Sequence, residues 1–173
     1  HTMKPEVVVV DYGIGNLLSV CRAFDHCGTK VTLTDDPQRI ENADCTVVPG
    51  VGAFGDCMRA LRSRDLIEPV KSAALSGRPF LGICVGMQLL ATKSYENGTH
   101  NGLGWIGGEI KKLPRNNLKL PHIGWNNVEI EIEENKLIKS KKPQNFYFVH
   151  SYYFDCKSSK NIVAKTNYGI NFS

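Results

Sequence analysis

The chain has 173 residues, 42% of them hydrophobic, which is enough for one domain with a proper core and argues against disorder. The formal net charge is only +4. There is no long Lys/Arg run, no basic stripe interleaved with aromatics and no apolar run of about 18 residues, so neither nucleic acid nor membrane is an expected partner.

His1-Thr2-Met3 reads as a vector scar followed by the start Met, which leaves 4–173 as a single domain. Val7–Val10 (VVVV) is a continuous β-branched run, the pattern of a strand covered on both faces. DYGIGN at 11–16 is a glycine-rich turn. Leu17 to Cys27 has helical spacing, with Leu17, Val20, Cys21 and Phe24 on one face and Gly28 as a stop. Lys30–Thr34 is a second strand, Pro37–Glu41 a short helix and Cys45–Val48 a third strand. PGVGAFG at 49–55 is another glycine-rich turn. Helical stretches follow near Met58–Leu61 and over Leu66–Leu75, then a strand at Phe80–Ile83 and a helix at Val85–Thr92. Strand and helix alternate with short connections, which predicts an α/β layout with a largely parallel sheet.

The second half changes character. Trp105–Leu113, Asn127–Ile132, Asn145–Cys156 and Asn161–Asn167 read as strands with no helix between them. Val128, Ile130 and Ile132 alternate with Glu129, Glu131 and Glu133, the mark of a sheet with one wet face. The expected fold is a flavodoxin-like mixed sheet, parallel first and antiparallel after. KSKK at 139–142 reads as a solvated loop.

The six cysteines form no CxxC pair, so no structural zinc site is expected. No secretory h-region is present, and reduced thiols in the cytoplasm are the expectation. GVGAFG at 50–55 matches the dinucleotide pattern GxGxxG, yet it follows the third strand, whereas that fingerprint belongs on the first βα turn. A tight turn, or a loop presenting N–H groups to developing negative charge, fits as well.

Around Cys84 the order is strand, G-I-C-V-G, helix. This has the logic of a nucleophile elbow, in which a side chain projects from a sharp strand-to-helix turn. Glycines two residues before and after allow neighbouring segments to pass close. The N–H of Val85 can donate to an oxyanion. The competing reading is a buried cysteine at a βα turn.

DYGIGN, PGVGAFGDCM, GICVGMQLL, GLGWIGG, PHIGWN and YFVHSYY, in that order, together resemble the class I glutamine amidotransferases. Within them the likeness is to glutaminase subunits of imidazole glycerol phosphate synthase. The resemblance implies hydrolysis of glutamine to glutamate and ammonia without cofactor or metal. The ammonia would pass to a (β/α)8 cyclase subunit, the partner of a heterodimer in histidine biosynthesis. It implies Cys84 as nucleophile, with Val85 and the loop residues Val51 and Gly52 as oxyanion donors. Gly50, Gln88, His150, Ser151 and Tyr152 fall at substrate positions, and Asn16, Trp125 and Tyr147 where the family meets its cyclase.

One departure stands out. The family pairs its cysteine with a His-Pro-Glu segment, and no HPE occurs in these residues. A truncated chain that turns over glutamine poorly is therefore expected. His150 is the candidate substitute, while His122 and His26 read as structural and His100 as a loop residue. Three other functions stay open: a paralogous subunit feeding another synthase such as amidino-sugar synthesis, a non-catalytic interaction subunit, and a nucleotide-binding module.

Overall fold

The computed structural model describes residues 4–140 and 142–173, so His1–Met3 and Lys141 of the KSKK loop lie outside the described residues. The chain falls into two compact units, up to Leu90 and from Ala91 onward.

In the first unit, β1 (Glu6–Val10), β2 (Lys30–Thr34), β3 (Cys45–Val48) and β4 (Phe80–Gly82) form a parallel sheet in the order β2-β1-β3-β4. Val7–Val10 are all buried, as their unbroken apolar run predicts for a central strand. Helix α1 (Leu17–His26) begins at Asn16, whose side chain accepts from the Ser19 N–H, and gives way to Gly28 at φ 83°. Its Leu17, Val20, Cys21 and Phe24 pack on Val7, Val9 and Val47. Helix α2 is Pro37–Glu41. Helices α3 (Phe54–Ser63) and α4 (Ile67–Leu75) bury Phe54, Cys57, Met58, Leu61 and Val70. Strands β1, β3 and β4 are neighbours, so the turns leaving their carboxyl ends share one edge of the sheet. That edge is where open parallel sheets bind ligands.

The helix expected over Val85–Thr92 is only α5 (Val85–Gln88). Apolar Leu89–Ala91 carries no stop signal. The chain leaves the helix because the Thr92 N–H donates to the Gly108 carbonyl and the Ala91 carbonyl accepts from Gly104.

The second unit holds two four-stranded sheets. One orders β10-β7-β5-β6, from β5 (Lys93–Ser94), β6 (His100–Asn101), β7 (Gly108–Lys112) and β10 (Tyr152–Cys156). The other orders β12-β11-β8-β9, from β8 (His122–Ile130), β9 (Gln144–His150), β11 (Ala164–Asn167) and β12 (Asn171–Phe172). All pairings are antiparallel except β5 with β7. Val128 is buried and Glu129 exposed, as the alternation predicts.

The span Asn145–Cys156 is two strands and not one. β9 pairs with β8, the chain breaks at Ser151, and β10 pairs with β7. The Ser151 carbonyl accepts from the Leu113 N–H at 2.8 Å, which anchors the crossover.

Candidate active site

Cys84 lies between β4 and α5 at φ 59°, ψ −126°, and its side chain is exposed. A non-glycine residue there stores about 1–3 kcal/mol of backbone strain, which the surroundings must hold. They hold it through the flanking glycines. A Cβ on Gly82 would come within 2.7 Å of Met87 Cα, and one on Gly86 would run into the Val48 carbonyl oxygen. The elbow is thus pressed onto β3 on one side and its own first turn on the other. The Val85 N–H donates to no group among the described residues, whereas the Gly86 N–H is held by the Ile83 carbonyl. One exposed thiol and one free N–H stand side by side.

The PGVG loop is part of the same construction. A Cβ on Gly50 would lie 2.6 Å from the Gly86 nitrogen and 3.1 Å from the Val85 carbonyl carbon, so the loop backbone rests directly on the elbow. Gly52 has φ 101° and Val51 is 57% exposed. GVGAFG therefore uses its first glycine for contact with the elbow and its second for a left-handed turn. Gln88 is nearly buried one turn past the cysteine, and its N–H donates to the Cys84 carbonyl.

Two loop supports are not among the sequence-derived site residues. The Tyr12 hydroxyl, fully buried, donates to the Pro49 carbonyl, and the Cys57 thiol donates to the Val51 carbonyl at 3.8 Å. Burial, reinforced by Cys57, pushes the Tyr12 phenol far above its ordinary value, so it is a permanent donor. The signal for Tyr12 was present: a large aromatic in a turn leaving a buried strand needs a partner for its hydroxyl.

The other predicted residues lie in the second unit, apart from Asn16, which is exposed at the start of α1. Ser151 forms the β9–β10 break, between His150 and Tyr152. Both ring nitrogens of His150 are engaged. Nε2 meets His122 Nδ1 at 2.8 Å and Nδ1 donates to the Tyr152 carbonyl at 2.9 Å. Trp125 and Tyr147 face each other across β8 and β9, ring centroids 5.6 Å apart, and are 74% and 56% exposed. Ile123 and Val149, the next pair on that face, are exposed as well. Core packing does not explain these four side chains.

All six cysteines are free. Burial pushes the Cys21, Cys45 and Cys156 thiols up, and Cys57 is buried. Only Cys27 and Cys84 are exposed. Among the described residues no group of three His, Cys, Asp or Glu could hold a metal, and no helix is long and apolar enough to cross a membrane.

Residues 8–171 match the family model described as glutamine amidotransferase class-I. Among curated proteins, the chain is similar to imidazole glycerol phosphate synthase subunit HisH of Geobacter metallireducens. The two are 41% identical over 172 residues, covering 96% of this chain and 82% of that protein. The protein of the same description from Carboxydothermus hydrogenoformans is 46% identical over 165 residues, covering 95% and 82%. Among solved structures, a glutamine amidotransferase superposes with TM-score 0.69 at 16% identity, over 94% of this chain and 85% of that one. A glutamine amidotransferase from Thermotoga maritima gives TM-score 0.59 at 16% identity, over 97% and 73%. These two likenesses concern the fold.

Proposed function

The chain belongs to the class-I glutamine amidotransferases, and on that footing we propose that it hydrolyses glutamine at Cys84 and hands the ammonia to a cyclase that builds imidazole glycerol phosphate. The observation that carries the reading is the elbow itself, an exposed thiol at φ 59° with a free N–H beside it and the PGVG backbone resting on it. The family model covers both units, which supports reading them as parts of one glutaminase domain.

The reaction follows from these parts. The Cys84 sulfur adds to the side-chain amide carbon of glutamine, and the amide oxygen takes the negative charge. The Val85 N–H, joined by a donor from Val51 or Gly52, stabilises that oxyanion. Collapse breaks the C–N bond, ammonia leaves with an added proton, and a thioester remains. Water then adds to the thioester carbon, and the second collapse returns the thiol and releases glutamate. Gly50 and Gln88 border the reacting atoms, and the His150-Ser151-Tyr152 backbone is assigned the amino-acid end of glutamine.

The proton transfers need a base. His150 is a poor substitute, because its two nitrogens are already committed to His122 and to the Tyr152 carbonyl. Without a His-Pro-Glu segment, these 173 residues are expected to turn over slowly. Six free cysteines accord with a reducing, cytoplasmic location.

The exposed face of Ile123, Trp125, Tyr147 and Val149 is assigned to the cyclase, in a heterodimer to which Asn16 also contributes. Aromatic side chains of this kind anchor interfaces. The test pairs a chain carrying the family's His-Pro-Glu segment with the cyclase and supplies glutamine labelled at the amide nitrogen. Label is expected in the imidazole ring of the product. Trp125→Ala should weaken the pairing by about 30-fold, roughly 2 kcal/mol. Ammonia released without label in the ring would redirect the function to another synthase, and unchanged affinity would remove Trp125 from the interface.

A further inference from the structure

His122 and His150 stand opposite each other in the β8–β9 ladder, on the face away from Trp125. His122 is 3% exposed and stacks on Tyr168 at 4.0 Å and on Phe148 at 4.9 Å. Buried imidazoles can be charged or neutral, and each neutral ring has two tautomers. Here the neighbours decide. The Asn126 amide is oriented by two other bonds: its Nδ2 donates to the Asn167 carbonyl at 2.8 Å and its Oδ1 accepts from the Asn127 N–H at 2.8 Å. The same Nδ2 lies 3.3 Å from His122 Nε2, which must therefore accept. His122 Nδ1 then carries the proton and donates to His150 Nε2. His150 in turn carries its proton on Nδ1 and donates to the Tyr152 carbonyl. Reading back from that carbonyl, which can only accept, gives the same assignment at every atom.

We infer that His122 is a positioning residue for the glutamine-binding segment 150–152: a one-way relay from Asn126 through His122 and His150 to the Tyr152 carbonyl fixes the backbone at the Ser151 break. The inference rests on the proposed glutaminase reading only for the identity of the ligand. The relay tolerates no extra proton. One added at His122 Nε2 opposes the Asn126 amide, and one added at His150 Nε2 opposes the His122 N–H. Phe148 on β9, Tyr168 after β11 and Phe172 on β12 pack around the pair, and the Tyr168 hydroxyl is spent on the Lys119 carbonyl. Among the described residues no carboxylate acts on either ring to favour the charged form, and the Tyr152 carbonyl alone pulls His150 that way, more weakly than burial opposes it. Burial holds both imidazoles below their ordinary value, in His122 with help from His150. The unfolded chain therefore takes up these protons first, and stability falls as pH drops below about 6.5.

The test is heteronuclear NMR of the imidazole nitrogens in the Cys84→Ser chain, followed by titration with L-glutamine. At neutral pH both rings should show a protonated Nδ1 and a bare Nε2. Lowering the pH should shift the 150–152 amides together with the two rings. His122→Phe keeps the stack but removes the donor; it should move the 150–152 amides and weaken glutamine binding about tenfold, with His122→Gln recovering part of the loss. A proton on Nε2 of His150 in the unsubstituted rings would overturn the relay without any variant having to fold. Unchanged 150–152 amides in a folded His122→Phe chain would also overturn it. Correct tautomers with no response of 150–152 to glutamine would instead overturn the ligand assignment and leave the relay standing.

Discussion

Replacing Cys84 by serine is expected to lower glutamine hydrolysis by about 10⁴-fold or more, in a chain that also carries the family's His-Pro-Glu segment. A hydroxyl in place of the sulfur keeps the shape of the elbow and removes the proposed nucleophile. Members of such catalytic units fail together, so the loss is not shared out among the remaining donors. Melting should be unchanged, because the side chain is exposed and the backbone geometry suits either residue equally. Cys84→Gly separates chemistry from strain. Glycine adopts φ 59° without steric cost, so this variant should be more stable by about 1 kcal/mol and equally inactive. Measuring glutamate release beside thermal unfolding checks both statements. Turnover within tenfold of the parent in Cys84→Ser would remove the nucleophile assignment.

Gly86→Ala should be the most damaging of the conservative substitutions. The new methyl would run into the Val48 carbonyl oxygen and lie 2.8 Å from the Val48 carbonyl carbon and 3.0 Å from that of Pro49. Those atoms belong to the end of β3 and the start of the PGVG loop, and backbone between two other strands cannot swing aside. Overpacking of this kind costs about 3 kcal/mol, which for a chain of this length is roughly a 6–12 °C fall in Tm. Gly107→Ala is the control. Its added carbon meets only the Lys157 side chain at 3.6 Å, an ordinary contact, and should leave Tm in place. If the two variants melted alike, Gly86 would not be the close-contact point between loop and elbow.

The α/β order of the first half was legible because each signal is local. Val7–Val10, the capped helix from Leu17 and the glycine turns after β1, β3 and β4 announce themselves within a few residues. The ±2 glycines around Cys84 were legible for the same reason, and close approach is what they turn out to permit. The break at Ser151 was not. Phe146, Phe148, His150, Tyr152 and Phe154 continue a two-residue alternation through it, with no glycine or proline to mark the change. Only the choice of partner strand, β8 before the break and β7 after it, divides the run. The start of β8 at His122 was hidden likewise, since Gly124 and Trp125 look like a turn until β9 lies beside them. Tyr12 signalled in the sequence that its hydroxyl needs a partner, but the partners of Tyr12 and Cys57 are backbone carbonyls, and which carbonyl each meets no sequence pattern displays. His122 was read as structural; what its ring donates to depends on a register that only the fold establishes.

The most direct test of the central claim is covalent labelling, in a chain that also carries the family's His-Pro-Glu segment, with a diazoketone analogue of glutamine, mapped thiol by thiol. Cys27 is the built-in control, because it and Cys84 are the exposed thiols of the six. A general alkylating agent should reach both. The glutamine analogue should label Cys84 and spare Cys27, and an excess of glutamine should protect Cys84 alone. Equal labelling of Cys27 and Cys84 by the analogue, unaffected by glutamine, would contradict the assignment of this elbow as a glutamine site.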